Sequence, residues 1–126
     1  MIERYTLPKM GRIWTDENRF KNWLNVEILA CEAMAKEGRV PLDALKDIKG
    51  KARFDIKRIN ELESILHHDL ASFVSCVQES IGPNGRYIHM GLTSNDVVDT
   101  ALCLMMKKSA DILIEDIGDL ITVVTE

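Results

Sequence analysis

Residues 95–126 read NDVVDTALCLMMKKSADILIEDIGDLITVVTE, and this run decides the fold. Val98, Leu102, Met105, Leu113, Ile117, Leu120 and Val124 fall on one broad stripe, which predicts a single long amphipathic helix opened by Asn95 and Asp96. Gly118 lies inside it, yet the stripe continues to Val124 and neither a cap nor a proline follows before Glu126. A helix of about thirty residues is longer than a domain of this size needs. The expectation is a helix cut short of the bundle it belongs to, a bundle completed by further chain or by other subunits.

The same period extends upstream. After Thr15 and Asp16, the residues Phe20, Trp23, Leu24, Ile28, Cys31 and Met34 recur at three- and four-residue steps, with Gly38 as the stop. Pro41 suits the first turn of a shorter helix carrying Leu42, Leu45 and Ile48 and ended by Gly50. Ile56, Ile59, Leu62, Ile65 and Leu66 carry the pattern to His67-His68-Asp69, and Leu70, Phe73, Val74 and Val77 resume it as far as Ile81, so the histidines fall at a helix junction. Gly82-Pro83-Asn84-Gly85 predicts a turn, with positive φ at Asn-Gly, and residues 86–94 have no sustained period. No strand pattern, repeat or linker competes. The reading is all-α: an N-terminal helical domain over residues 1–92, then the first long helix of a central bundle over 93–126.

Composition sets the outer limits. The chain has 126 residues, 46% of them hydrophobic and 29% charged, which is the profile of a folded globular domain. Sixteen Lys and Arg against twenty Asp and Glu give a net charge of -4, so the chain as a whole offers nucleic acid no attraction. Its longest apolar run, Ala101 to Met106, is far short of the ~20 residues that span a bilayer. Charges in MIERYTLPKM argue against a secretory signal, so a cytoplasmic protein is expected. Cys31, Cys76 and Cys103 lie in apolar segments and read as small buried hydrophobes. The histidines and cysteines have no metal-ligand spacing, and no Gly-rich phosphate loop or dinucleotide fingerprint occurs, so neither a metal nor a cofactor is expected.

Three constellations could carry chemistry. Arg4 and Tyr5 pair a cation with a phenol, suited to a phosphate or an aromatic base, or else they form a solvated terminus. His67, His68 and Asp69 bring two imidazoles beside a carboxylate that could orient one of them, or else His67 is a surface residue and Asp69 an N-cap. In the segment from Arg86 to Asp96, which includes His89, the hydroxyls of Thr93 and Ser94 stand just before a helix, where they could hold an anion or simply cap it. Met105 and Met106 read as packing. By these residues alone the chain is a helical, anion-binding module.

MIERYTLPKM, IWTDENRFKNWLNVEILACEAM, HHDLASF and YIHMGLTSNDVVDTAL, taken together, resemble the N-terminal third of the adenylosuccinate lyase family within the fumarase/aspartase superfamily. The segment from His89 to Thr100 resembles that family's first active-site region, with Met90 and Asn95 departing from its usual residues. The resemblance implies β-elimination of fumarate from adenylosuccinate, giving AMP, and from the succinylated aminoimidazole carboxamide ribotide (SAICAR) in purine biosynthesis, without a cofactor. It assigns Arg4 and Tyr5 to the nucleotide, with Arg4 on its phosphate. His67, His68 and Asp69 line the pocket, His68 as the catalytic residue near the reacting centre, and Thr93 and Ser94 bind the substrate's anionic end, with His89 contributing. The family's second and third regions, which carry the acid and the base, would lie beyond Glu126, and three subunits of a homotetramer would build each site. This chain alone is then expected to be inactive. The competing expectations are another fumarate-producing lyase of the argininosuccinate lyase type, and a non-catalytic helical interaction module.

Overall fold

The computed structural model describes residues 2–126, apart from the side chain of Glu3. Six helices follow in chain order: α1 Pro8–Gly11, α2 Asp16–Lys36, α3 Leu42–Lys51, α4 Ile56–Leu66, α5 Asp69–Ile81 and α6 Ser94–Thr125. Short 3-10 turns occupy Glu3–Tyr5, Arg12–Trp14 and Pro83–Tyr87. The chain is all-α, with no strand among the described residues.

Local chemistry sets most of the boundaries. Thr15 caps α2 by accepting the Asn18 N–H at 3.2 Å, and Gly38 (φ 73°) turns the chain out of that helix. Asp55 caps α4 through the Lys57 and Arg58 N–H groups. At the start of α6 the Asp96 carboxylate accepts the Thr93 N–H at 2.8 Å, one arm of a capping box, so the N-cap is Thr93 and the helix opens at Ser94. Three sequence expectations shift. Gly50 does not stop α3, which runs on to Lys51, because its backbone is compatible with a helix. The positive φ of the turn falls at Gly82 (84°) instead of at Asn-Gly, where a 3-10 turn takes over. His68, not Asp69, is the N-cap of α5.

The core is built around four aromatic rings. Phe20 stacks on Phe73 at 5.7 Å between centroids, Trp23 meets Phe73 edge-on at 5.5 Å, and Phe54 closes the cluster at 5.9 Å from Phe20. Ile48, Ile59, Leu70, Val77, Ile88, Val97 and Ala101 extend it, so α6 enters the same core as the helices before it. Cys31 and Cys76 are buried as expected; Cys103 is exposed on α6, because it faces away from the packed side.

Only half of α6 is packed. Val97, Ala101, Met105 and Ser109, four residues apart, form its buried edge, and Trp14 Nε1 donates to Ser109 Oγ at 3.1 Å. Of the expected stripe Met105 is buried and Val98 packs against the core, while Leu102 is 41% exposed and Val97 and Ala101 take the fully buried places, since the contact is a narrow seam along α2. From Leu113 onward the apolar side chains Leu113, Ile117, Leu120 and Val124 are more than half exposed.

Two glycines separate the effect of close packing from that of propensity. A Cβ at Gly85 would lie 2.8 Å from the Gln78 backbone, whereas one at Gly50 would meet open space. Gly85→Ala is expected to lower the unfolding free energy by about 1–3 kcal/mol. Gly50→Ala is expected to raise it by about 0.5 kcal/mol. Denaturant titration of both variants measures the contrast, and equal midpoints would contradict the close approach at Gly85.

Candidate active site

The break between α4 and α5 sets the geometry of the site. His67 ends α4 in the left-handed region (φ 51°), which reverses the chain and leaves His68 extended at the head of α5. There the His68 Nδ1 accepts the Ala71 N–H at 3.3 Å, so in the neutral ring the proton sits on Nε2. Nε2 lies 3.5 Å from Ser94 Oγ, the first residue of α6. Two residues separated by 26 positions in the chain thus meet where two helices begin.

That meeting has an electrostatic consequence. The first N–H groups of a helix lack internal acceptors and together carry roughly half a positive charge. With α5 and α6 beginning side by side, the His68 Nε2–H and the Ser94 hydroxyl lie together in one exposed region, while the Leu70, Ala71 and Thr93 N–H groups are taken by Asp69, His68 and Asp96. Asp69, at the first position of α5, has Oδ1 3.5 Å from His68 Nδ1 and accepts the Leu70 N–H at 2.7 Å. It also lines a cleft of about 280 Å³ with Trp14, Arg19 and Trp23. His67, His68, Asp69 and Thr93 are exposed and Ser94 is half-buried, so the group is open to a ligand.

Arg4 and Tyr5 lie elsewhere. The Arg4 guanidinium covers the Tyr5 ring at 4.8 Å, and Tyr5 sits in a shallow pocket against Leu113 and Asp116 of α6, near the Lys9–Glu115 ion pair. Leu113 is nineteen residues beyond Ser94, a distance of about 28 Å along a helix rising 1.5 Å per residue. Within one chain the structure unites His68, Asp69 and Ser94 and keeps Arg4 and Tyr5 apart from them.

His89 has a partner that the sequence reading missed. It too has a left-handed backbone (φ 65°), a conformation that costs a non-glycine residue on the order of 1 kcal/mol. Glu27 of α2, with no exposed surface, takes the His89 backbone N–H on Oε2 at 2.8 Å and meets the ring Nδ1 with Oε1 at 2.7 Å. Burial pushes the Glu27 carboxyl above the usual carboxylate range, and the bonds to His89 pull it back. Beside it, the Cys31 thiol is pushed up to about 11 by burial and by the Glu27 charge. One sequence signal did exist: Glu27 sits four residues from both Trp23 and Cys31, on the stripe that enters the core.

A family profile described as lyase matches residues 3–126. The chain belongs to this lyase family. It is similar to the adenylosuccinate lyase of Synechocystis sp., 51% identical over 96% of this chain and 28% of that protein. The adenylosuccinate lyase of Bacillus subtilis is 49% identical over the whole of this chain and 29% of its own length. The lyase chain therefore spans less than a third of the curated relatives it matches. Among solved structures, 3-carboxy-cis,cis-muconate lactonizing enzyme from Pseudomonas putida superposes with a TM-score of 0.83 at 29% identity, over 92% of this chain and 28% of that one. A fumarate lyase from Mesorhizobium sp. BNC1 shares the fold with a TM-score of 0.71 at 24% identity, over 79% of this chain and 24% of that one.

Among the described residues, no helix of the lyase chain is long and apolar enough to cross a membrane. Among the described residues, no three His, Cys, Asp or Glu side chains gather into a metal-binding group.

Burial divides the thiols of the lyase chain. Near about pH 8, a thiol reagent is expected to modify Cys103 quickly, while Cys31 and Cys76 stay protonated and inaccessible until the chain unfolds. Thiol titration with and without denaturant reads this directly, and fast modification of Cys31 in the folded chain would contradict its burial against Glu27.

Proposed function

We propose that these residues form the first segment of an adenylosuccinate lyase, an enzyme that eliminates fumarate from adenylosuccinate and from SAICAR in purine biosynthesis. The supporting observation is identity of about half, along nearly the whole chain, to proteins of that name in distant bacteria. In this reading residues 1–92 are the N-terminal domain and 93–126 begin the central bundle of a cytoplasmic homotetramer. The apolar half of α6 supports that assembly, since burying each such side chain is worth roughly 1.5–3 kcal/mol.

The elimination needs a base for the Cβ proton, an acid for the departing nitrogen, and donors to hold the succinyl carboxylates as negative charge develops. The hydroxyls of Ser94 and Thr93 at the head of α6 supply such donors. His68 adds an Nε2–H beside them and is the residue of this chain assigned to the reacting centre, with His67 and Asp69 at its flanks and His89 four residues before Thr93. The general acid and base belong to the parts of the relatives that these 126 residues do not cover.

Arg4 and Tyr5 are assigned to the nucleotide phosphate. About 28 Å is too far for one mononucleotide to touch both them and Ser94 of the same copy. In this reading Arg4 of one subunit therefore serves the His68 and Ser94 of another. An arginine and a phenol for a phosphate also favour a nucleotide over the phosphate-free substrate of an argininosuccinate lyase.

The test uses the full-length enzyme. Arg4→Ala is expected to raise KM for adenylosuccinate about tenfold, and His68→Ala to lower kcat by about 10². Refolding the two variants together is expected to restore the unmodified kcat and KM to up to about a quarter of the sites, because some sites then draw each residue from an intact subunit. Lack of any recovery in mixed oligomers would contradict the shared site, and unchanged kinetics in either variant would remove that residue from it.

A further inference from the structure

Three features lie outside the reading just given: a 460 Å³ groove lined by Asn18, Asn22, Lys21 and Lys108, the surface pair of Arg58 with Glu79, and the buried Glu27. Glu27 carries the strongest inference. It is wholly buried and nonetheless directs both carboxylate oxygens at one residue in another part of the chain.

We propose that Glu27 is a positioning residue for His89, holding its neutral imidazole as the Nδ1–H tautomer with Nε2 left as a hydrogen-bond acceptor. A carboxylate only accepts hydrogen bonds. Its Oε2 takes the backbone N–H, which can do nothing but donate, and its Oε1 sits 2.7 Å from Nδ1, so opposite the ionised carboxylate that nitrogen carries the proton. Nε2 has no partner among the described residues and is not among their buried unpartnered atoms, so it reaches solvent. The left-handed backbone at His89 is what lets a single side chain grip both its ring and its N–H.

His68 is held the opposite way. Its Nδ1 accepts the Ala71 N–H, so its proton lies on Nε2. The chain thus fixes one histidine, 3.5 Å from Ser94 Oγ, as a donor and another, five residues before Ser94, as an acceptor. The role of His89 in turnover rests on the lyase reading; its tautomer does not.

The substitution Glu27→Gln discriminates sharply, because glutamine has one acceptor and one donor. The backbone N–H of His89 will claim the amide oxygen, leaving the amide NH₂ to face Nδ1, which must then accept. The proton is expected to move to Nε2.

The experiment is a long-range ¹H–¹⁵N correlation of the labelled 126-residue chain at about pH 8. The unmodified chain is expected to show His89 with a protonated Nδ1 and a bare Nε2, and His68 with the reverse pattern. In Glu27→Gln the two His89 signals are expected to exchange while His68 is unchanged. A His89 protonated on Nε2 in the unmodified chain overturns the proposal, and that single spectrum decides it even if the variant does not fold. A folded variant that keeps the Nδ1–H tautomer also overturns it. Failure of lyase activity in the full-length enzyme would count against the proposed function and leave this result standing.

Discussion

Everything at the site depends on the seam between α2 and α6. Val97, Ala101 and Met105 recur every four residues, so they form one straight edge, and the small Ala101 lets the helices approach closely. That edge joins the aromatic cluster of Phe20, Trp23 and Phe73, and Phe73 belongs to α5. Because α5 and α6 are both tied to α2, their first turns are brought together and His68 arrives beside Ser94. A bulkier residue at Ala101 would press the two helices apart and separate those groups without touching either.

The seam also explains why the site is only partly assembled. Packing on α6 ends near Ser109, and the helix continues with its apolar side chains in solvent. The Ser94 end of the helix is therefore held by this chain's own core, while the far end, with Tyr5 beside it, leaves its apolar side chains exposed. A fold used by both a lactonizing enzyme and a fumarate lyase shows that such a scaffold does not by itself select a reaction.

Much of this was legible in the sequence. The 3.6-residue period marked the five helices from α2 to α6, and its interruption at His67-His68-Asp69 placed the histidines at a junction, because packing faces have to be continuous while junctions do not. Turn and cap chemistry located the head of α6 to within one or two residues. The short turns before Thr15 were not legible: they have no period and are held by distant partners such as Ser109 for Trp14 and Glu115 for Lys9. Glu27 was missed for a similar reason. A carboxylate on a helix usually faces water, and the residue that justifies its burial lies 62 positions away. The separation of Arg4 from His68 could not be read either, since a motif records its residues and not the distance between them.

The central claim is that these residues supply the first catalytic segment of an adenylosuccinate lyase. It is tested most directly by joining residues 1–126 to the remaining part of the Bacillus subtilis relative and following fumarate release from adenylosuccinate. The account predicts a folded oligomer that turns over adenylosuccinate and loses about 10² in kcat when His68 becomes alanine. A chimera that folds and assembles as that relative does, yet releases no fumarate, would contradict it.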